Sequence, residues 1–307
     1  MFTKNSLLAL VLSTTLVTSA ISDSSLEDKA KNKLTDNLNQ GVSNLSGKIS
    51  EGISSFAEEH FENMKYLDFD INAQDYLKPT FSIMSVSEIS KIDAGTIFNQ
   101  TSINTHDGDE TINIGFGIRK LLNDNTLLLG ASTFYDHQLT ESHQRAGVGA
   151  EAITSIFDVR GNYYNALSAR RTNSEGTIER ALDGWDLRGD YHLPIDEDVN
   201  IFISAFEFEN PETGSSYKEK GNKFGADATL GNFVIEAGYM DDNQANDAYF
   251  GSIKYVVNFG ADNQSINTPK DGKTLTDVSD KLYQPVKREN KIRVVKIDAS
   301  GVVVGGF

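Results

Sequence analysis

A two-residue alternation of apolar and polar side chains dominates this chain between Tyr66 and Phe259. The clearest example is the segment Thr111 to Lys120, whose apolar positions are Ile112, Ile114, Phe116 and Ile118. Because successive side chains of a β-strand point to opposite faces of a sheet, this period predicts strands with one apolar face. We therefore expect this region to form a β-sandwich or a membrane barrel, and not a helical bundle.

The polar face of the alternation separates these two folds. It consists of Gly, Asn, Asp, Arg and Ser in segments such as Phe157 to Tyr163 and Gly184 to Leu193. A sandwich meets bulk water and usually carries Thr, Lys and Glu on its polar face, whereas small and charged side chains are typical of a narrow barrel lumen. Tyr, Trp and Phe lie near the strand ends on the apolar face, as in an interfacial girdle. The pattern favours a transmembrane barrel.

The lengths of the connections give this barrel a direction. The longest ones, 169–183 and 210–221, follow odd-numbered strands, whereas most turns after even-numbered strands are short. Residues 87–91 are the exception, since they can form a longer turn. Bacterial outer-membrane barrels place their short turns in the periplasm. The predicted strands are 66–72, 79–87, 95–105, 110–121, 126–137, 143–155, 157–168, 183–193, 199–209, 222–230, 232–240 and 247–259.

These patterns predict an all-β fold, a transmembrane antiparallel β-barrel of about 12 strands over residues 63–260, preceded by a short amphipathic helix. The helix is expected in a periplasmic segment, 21–62, because apolar residues recur there at three- and four-residue spacing. Residues 1–20 are typical of a signal peptide, with Lys4 before the apolar run 7–17 and small residues at its end. That run is too short to span a bilayer as a helix. We expect export to the outer membrane.

Composition excludes several kinds of chemistry. A net charge of −16 repels phosphates, so binding to nucleic acid is not expected. The absence of cysteine removes disulfides, thiolate nucleophiles and cysteine-based metal sites, and no cofactor or metal is predicted. Asp136, His137 and His143 cluster at one hairpin, but adjacent residues of a strand point to opposite faces, so Asp136 and His137 cannot form a dyad. The chain is therefore not expected to be an enzyme.

Several short motifs resemble the translocator barrel of inverse autotransporters, the intimin and invasin family of type V secretion. They occur in the family's order, and the resemblance covers roughly 59–296. It implies a twelve-stranded barrel and a C-terminal linker that runs through the lumen and exports a passenger to the cell surface. The motifs lie at 134–140, 143–145, 147–151, 158–164, 183–189, 193–194 and 282–292.

The chain departs from this family at its end. Members usually carry arrays of immunoglobulin-like domains after the linker, and some carry a LysM module before the barrel, but this sequence shows neither. The C-terminal linker is predicted over 261–307, within the lumen. Extended from Pro285, it reaches roughly 70 Å, which exceeds an apolar band of about 25 Å. We expect a short surface segment and no folded adhesin.

Charges on the polar face are predicted to point into the lumen and to brace this linker. Arg288, Lys291 and Arg293 would meet acids of the barrel. The alternative is that the lumen charges only line a narrow, water-filled pore. The predicted lumen-facing charges are Arg119, Glu151, Asp158, Arg160, Asp186, Arg188 and Lys254. The predicted linker residues within the lumen are Tyr283, Pro285, Val286, Arg288, Asn290, Lys291 and Arg293.

The closing strand is expected to matter for assembly. Its end, with Tyr255, Val257 and Phe259, resembles the signal read by the barrel-assembly machinery, although any final lipid-facing strand would look similar. The expected partners are outer-membrane lipid, that machinery and periplasmic chaperones.

We interpret the sequence as an outer-membrane translocator and anchor that exposes a short C-terminal segment. The alternatives are a narrow porin-like or structural barrel plugged by its own tail, a barrel enzyme, which is the least favoured, and the relic of a longer adhesin. Any receptor or separate passenger, and the oligomeric state, stay open.

Overall fold

The computed structural model describes residues 63–106, 109–173, 175–244, 246–259, 269, 271–297 and 303–306. The predicted signal peptide and amphipathic helix lie outside these residues. Twelve strands close into an antiparallel barrel, as predicted. They are β1 (Met64–Gln74), β2 (Thr80–Ile92), β3 (Gly95–His106), β4 (Asp109–Leu122), β5 (Leu127–Gln138), β6 (Gln144–Ile153), β7 (Phe157–Ala166), β10 (Asp183–His192), β11 (Asp198–Glu209), β12 (Lys218–Leu230), β13 (Phe233–Asp242) and β14 (Ala248–Asn258).

Closure of the barrel joins its first and last strands. β1 pairs with β14 in a continuous register from Tyr66 opposite Asn258 to Gln74 opposite Phe250. The expectation of a longer turn at 87–91 is wrong, because β2 continues to Ile92 through an irregularity between Glu88 and Ser90. The turn after β2 is therefore short, like the other turns at that end. We call this end the short-turn end and the opposite one the long-loop end.

The two faces of the barrel wall have inverted polarity. Large apolar side chains such as Phe116, Val148 and Ile203 are exposed on the outside, whereas charged side chains such as Arg119 and Arg145 are fully buried inside. Glycines on the inner face make room for aromatic rings. A Cβ on Gly115 would meet the ring of Phe134 at 2.1 Å, and one on Gly117 would meet that of Phe98 at 2.3 Å. The apolar outer surface of the barrel is suited to contact with lipid.

A second, smaller sheet lies at the long-loop end, and the sequence patterns did not predict it. The loop between β7 and β10 forms a hairpin of β8 (Arg171–Thr172) and β9 (Ile178–Ala181). β9 also pairs with β15 (Val294–Ile297), which pairs with β16 (Val303–Gly306). The order of this sheet is β16-β15-β9-β8. The segment after the barrel thus joins a sheet to which a loop of the barrel contributes two strands.

One short 3-10 helix, η1 (Ser279–Tyr283), precedes the linker's course through the lumen. Within the described part of the chain, no helix is long and apolar enough to cross a bilayer.

Candidate functional site

The C-terminal segment enters the barrel at the short-turn end. The amide of Val278 donates to the carbonyl of Asn125 at 2.9 Å, and the amide of Thr276 donates to the Ser155 hydroxyl at 2.9 Å. The ammonium of Lys281 is buried and donates to the Thr154 carbonyl at 2.8 Å. These contacts fix the segment to two short turns of the barrel before it passes inside. Residues 271–281 of the predicted linker therefore lie at the entrance.

Lumen side chains bind the first part of the linker through its backbone. Arg119 donates to the carbonyls of Leu282 at 2.8 Å and Gln284 at 2.5 Å. The Gln100 amide accepts from the Val286 amide at 2.7 Å and donates to the Val286 carbonyl at 3.3 Å. An extended segment without strand partners leaves its peptide groups unpaired, so where the linker is buried against the wall these contacts satisfy them.

The same arrangement continues towards the long-loop end. Asn162 donates to the carbonyl of Lys287 at 3.1 Å, and Asn113 donates to that of Asn290 at 2.9 Å. Arg145 donates to the carbonyl of Glu289 at 2.7 Å. Because backbone groups are common to every sequence, these contacts hold an extended chain with little regard to its side chains.

One ion pair adds selectivity to this backbone recognition. Arg288 binds Asp136 through two nitrogens, at 2.9 and 2.7 Å, and its guanidinium lies 4.2 Å from the centre of the Phe134 ring. Asp136 also accepts from Arg145 at 2.8 Å and from Asn113 at 2.7 Å. The carboxylate is fully buried, so these donors replace its lost hydration.

Other charged linker residues meet a mixed set of partners. Lys287 contacts Asp190 at 2.9 Å, and Arg293 forms ion pairs with Glu219 and with Glu289 of the linker, the latter at 2.9 Å. Lys291 lies 3.4 Å from the Nε2 atom of His106.

The structure places all seven predicted lumen charges on the inner face. Arg119 contacts Glu151 at 2.6 Å, and Arg160 contacts Asp158 and Asp190 at 2.9 Å each. Arg188 joins this network to the opposite wall through Glu236 at 3.2 Å. Asp186 accepts from Tyr164 and Asn162, and Lys254 lies 3.8 Å from Asp68. Charges of opposite sign therefore alternate around the lumen.

The residues of the predicted histidine cluster, Asp136, His137 and His143, do not come together as one site: Asp136 faces the lumen, where it binds Arg145 and Arg288. His137 lies on the outer face and stacks on Tyr135. The His143 ring contacts Ser168 Oγ at 3.2 Å and Glu179 Oε2 at 3.5 Å. A serine, a histidine and a carboxylate in this order also make up a catalytic triad, but here the serine is buried, with Ser168 only 3% exposed. His143 instead connects the loop after β5 to the hairpin β8–β9. No group of three or more potential metal ligands is found among the described residues.

The linker leaves part of the lumen open. A cavity of about 680 Å³ lies between the linker and a wall formed mainly by β1, β2 and β11 to β14, with residues of β3 and β10 at its two edges. Residues of the loops after β1 and β13, including Tyr76 and Asn243, border it, so it opens at the long-loop end. We call this cavity the vestibule. Its inner boundary lies at Asp68, Met84 and Lys254.

An apolar cluster closes the vestibule towards the short-turn end. Tyr66, Val86 and Val256 each lie two residues beyond one of its boundary residues, and they pack with Phe98 and Val286 of the linker. We call this cluster the floor. The linker itself thus completes the seal of the lumen.

The predicted assembly signal lies at the barrel seam. Register places Tyr255 and Val257 on the outer face, opposite Phe69 and Leu67 of β1. Both side chains are buried, and Tyr255 packs edge-on against Phe233. Phe259 follows β14, and its amide donates to the carbonyl of Lys65 at 2.9 Å.

Fold and lumen together define a membrane barrel that carries its own C-terminal linker through its interior. Residues 17–290 match the family model of the inverse autotransporter β-domain. The chain therefore belongs to this family, and it is an outer-membrane β-barrel of the translocator class. The short-turn end is accordingly periplasmic and the long-loop end extracellular.

Curated relatives agree with this assignment. The inverse autotransporter adhesin YeeJ of Escherichia coli (strain K12) is 29% identical over 157 residues, 50% of this chain and 6% of that protein. Invasin of Yersinia enterocolitica is 32% identical over 99 residues, 32% of this chain and 12% of that protein. An attaching and effacing protein homolog of E. coli K12 is 33% identical over 129 residues, 41% of this chain and 43% of that protein. The chain spans less than half the length of each.

A solved membrane-protein structure, from work on in-meso crystallisation, has a TM-score of 0.63 and 19% identity, covering 75% of this chain and 98% of that chain. This likeness concerns the fold alone.

Proposed function

We propose that this chain anchors itself in the outer membrane and passes its C-terminal segment through the lumen to the cell surface. The observation that carries the proposal is the course of residues 282–293, whose backbone is hydrogen-bonded by inward-facing side chains of β3, β4, β6 and β7. Recognition of backbone suits a protein that must hold a chain threaded through it.

The predicted domain division is part of this proposal: a signal peptide at 1–20, a periplasmic segment at 21–62, the barrel at 63–260 and the linker at 261–307. The barrel-assembly machinery and periplasmic chaperones are proposed partners during biogenesis. The proposed assembly signal is Tyr255, Val257 and Phe259, since β14 must close the barrel against β1. The direct activity is holding and presenting a segment, and no catalytic step is assigned.

An epitope tag after Phe307 tests the proposal. In intact cells an antibody should bind this tag, whereas a second tag placed before the barrel, at Glu59, should be reached only after the outer membrane is permeabilised. A tag at Phe307 that stays inaccessible in intact cells, with the barrel folded, would contradict export of the segment.

A narrow pore plugged by its own tail is the second candidate, because the vestibule occupies part of the lumen. It predicts measurable ion conductance together with an inaccessible tag. Deletion of Gly260 to Phe307 should enlarge conductance whether the segment is exported or only plugs the pore. The accessibility of the tag after Phe307 therefore decides between the two candidates.

A further inference from the structure

At the long-loop end, which we call the mouth, the barrel holds the linker differently than it does inside the lumen. β15 pairs with β9, with Val294 opposite Ala181 and Lys296 opposite Glu179. Because β9 belongs to an extracellular loop of the barrel, the first residues that leave the lumen add a strand to a sheet that the barrel provides. Strand addition of this kind supplies affinity through the backbone and specificity through alternate side chains.

Both faces of β15 are packed, which makes its register specific. Val295 and Ile297 are fully buried in a cluster with Leu182, Phe206 and Phe208. On the other face Val294 packs with Ala181 and with Ile292 of the linker. A shift of one residue exchanges the faces of a strand and would turn Lys296 into the apolar cluster. Burial of an unpaired ammonium opposes that shift.

Arg293 opposes a shift of two residues. Its guanidinium forms ion pairs with Glu219 and Glu289 and lies 4.5 and 4.8 Å from the centres of the Phe206 and Phe208 rings. Movement of the chain by two residues outward would bring Arg293 to the apolar position of Val295. Movement inward would place Val295 against Glu219. The mouth is thus complementary to an arginine followed at alternate positions by two β-branched residues.

The hairpin that presents β9 contacts the barrel independently of the linker. Within the hairpin, Glu179 accepts from Asn173 at 2.9 Å. Glu179 also lies 3.5 Å from His143, which belongs to the loop after β5 and contacts Ser168 at 3.2 Å. These groups are buried or half-buried, so β9 is anchored on the barrel side and can act as a fixed edge.

We propose that this mouth is a strand-docking site that sets the register at which the exported chain stops, with Arg293, Val295 and Ile297 as the register-setting residues. The inference rests on the proposed function, because a stopping register exists only for a chain that passes through the lumen. Its ligand class is an extended polypeptide of the pattern Arg-x-Val-x-Ile, supplied by this chain itself.

Pairs of introduced cysteines measure the register in the full-length protein in intact cells, since the chain has no cysteine of its own. Ala181→Cys with Val294→Cys is the matched pair, because directly opposed residues lie within disulfide range. Ala181→Cys with Lys296→Cys is the pair displaced by two residues. With a mild oxidant, the matched pair should cross-link at least fivefold faster than the displaced pair.

The register-setting residues are then changed in the variant with the matched cysteine pair and in the variant with the displaced pair. Arg293→Ala, and separately Val295→Ser with Ile297→Ser, should reduce the fivefold preference to less than twofold. Arg293→Lys keeps the charge but loses the planar group over Phe206 and Phe208, and should also reduce the preference. Arg170→Ala removes an exposed ion pair with Glu212 at the same mouth and is the control that should leave the preference unchanged.

The outcomes separate the two proposals. If the tag after Phe307 is exposed but Arg293→Ala and Arg293→Lys both keep the fivefold preference, the docking site does not set the register and the inference is overturned. If the tag is inaccessible in the unmodified protein, the proposed function fails first. Since Arg293→Lys keeps a positive charge beside Glu219 and Glu289, a folding failure of the alanine or serine variant does not remove the test.

Discussion

The two walls of the lumen carry the same alternation of side chains but differ in what they contact. On the wall of β3 to β7 and β10, inward polar groups such as Gln100, Asn162 and Arg145 bind the linker and are buried. On the wall of β1, β2 and β11 to β14, groups such as Asn72 and Lys223 line the vestibule, which opens to the outside. Inward-facing groups are therefore of two kinds. Those of the first wall bind the linker backbone, whereas those of the second line the vestibule or contact linker side chains, as Glu219 does with Arg293.

This difference predicts that the same type of substitution has unequal effects on the two walls. Asp136→Ala should be the most damaging, because Arg145 and Arg288 would be left buried without their carboxylate. Breaking a buried ion pair costs about 3–5 kcal/mol. The measurement is the urea midpoint of unfolding of the barrel in lipid vesicles. The folded fraction is read from its heat-modifiable mobility in gel electrophoresis. Lys223→Ala, on the vestibule wall, is the control and should change stability by less than about 1 kcal/mol. Equal losses would remove the distinction between the walls.

The floor separates the vestibule from the periplasm, so its removal should join the two. Tyr66→Ala with Val286→Ala should raise conductance in planar bilayers several-fold over the unmodified protein, because both side chains belong to the apolar cluster that closes the lumen and truncation leaves a cavity. Phe250→Ala removes a ring that lines the vestibule and packs against Phe202, but it leaves the floor in place and should leave conductance near its original value. Conductance that rises equally in both variants would show that the seal lies elsewhere.

Backbone recognition by single amides should have a smaller effect. Gln100→Ala removes two hydrogen bonds to Val286 and leaves the peptide group unpaired, a cost of about 1–3 kcal/mol. Asn72→Ala, a polar truncation facing the vestibule, is the matched change and should cost less than about 0.5 kcal/mol. The same urea midpoints test both. A Gln100→Ala variant as stable as Asn72→Ala would mean that water replaces the amide in the lumen.

The smallest expected effect concerns pH at the mouth. Burial opposes ionisation of Glu179, but hydrogen bonds from His143 and Asn173 and the nearby Lys296 hold its pKa below its ordinary value. A lowered carboxyl pKa stabilises the folded state above the unfolded pKa, and this stabilisation is lost as the pH falls through the folded value. Amide exchange of Val294 to Ile297, corrected for intrinsic rates, should therefore become faster below about pH 4.5. Glu179→Gln should lack this dependence, and a dependence retained in that variant would assign it to another group.

Much of the barrel could be predicted because its determinant is local. A strand with one face in lipid and one in the lumen must alternate, so strand number, strand limits and the inward direction of Arg119 or Arg188 follow from the spacing of residues. The prediction of a longer turn at 87–91 was wrong because polar residues there form part of a bulged strand. Local composition does not distinguish a bulge from a turn.

The small sheet at the mouth could not be predicted in this way. β8 has two residues and β9 has four, too few for a period to be visible. Their partner β15 lies more than a hundred positions away, and it becomes a strand only because the lumen delivers it beside β9. The register proposed for the exported chain therefore depends on tertiary structure.

The sequence alone determined an alternating, acidic, cysteine-free barrel with an extended segment after it, because these properties depend on neighbouring residues. It did not determine which wall that segment would contact, since both walls have the same period and similar inward charges. The tertiary structure decided this, bringing Asp136 to Arg288 across 152 positions and Gln100 to Val286 across 186. Only the closed sheet sets such distant groups at bonding distance. That closure gave one wall the side chains that bind the linker backbone and left most of the vestibule along the other.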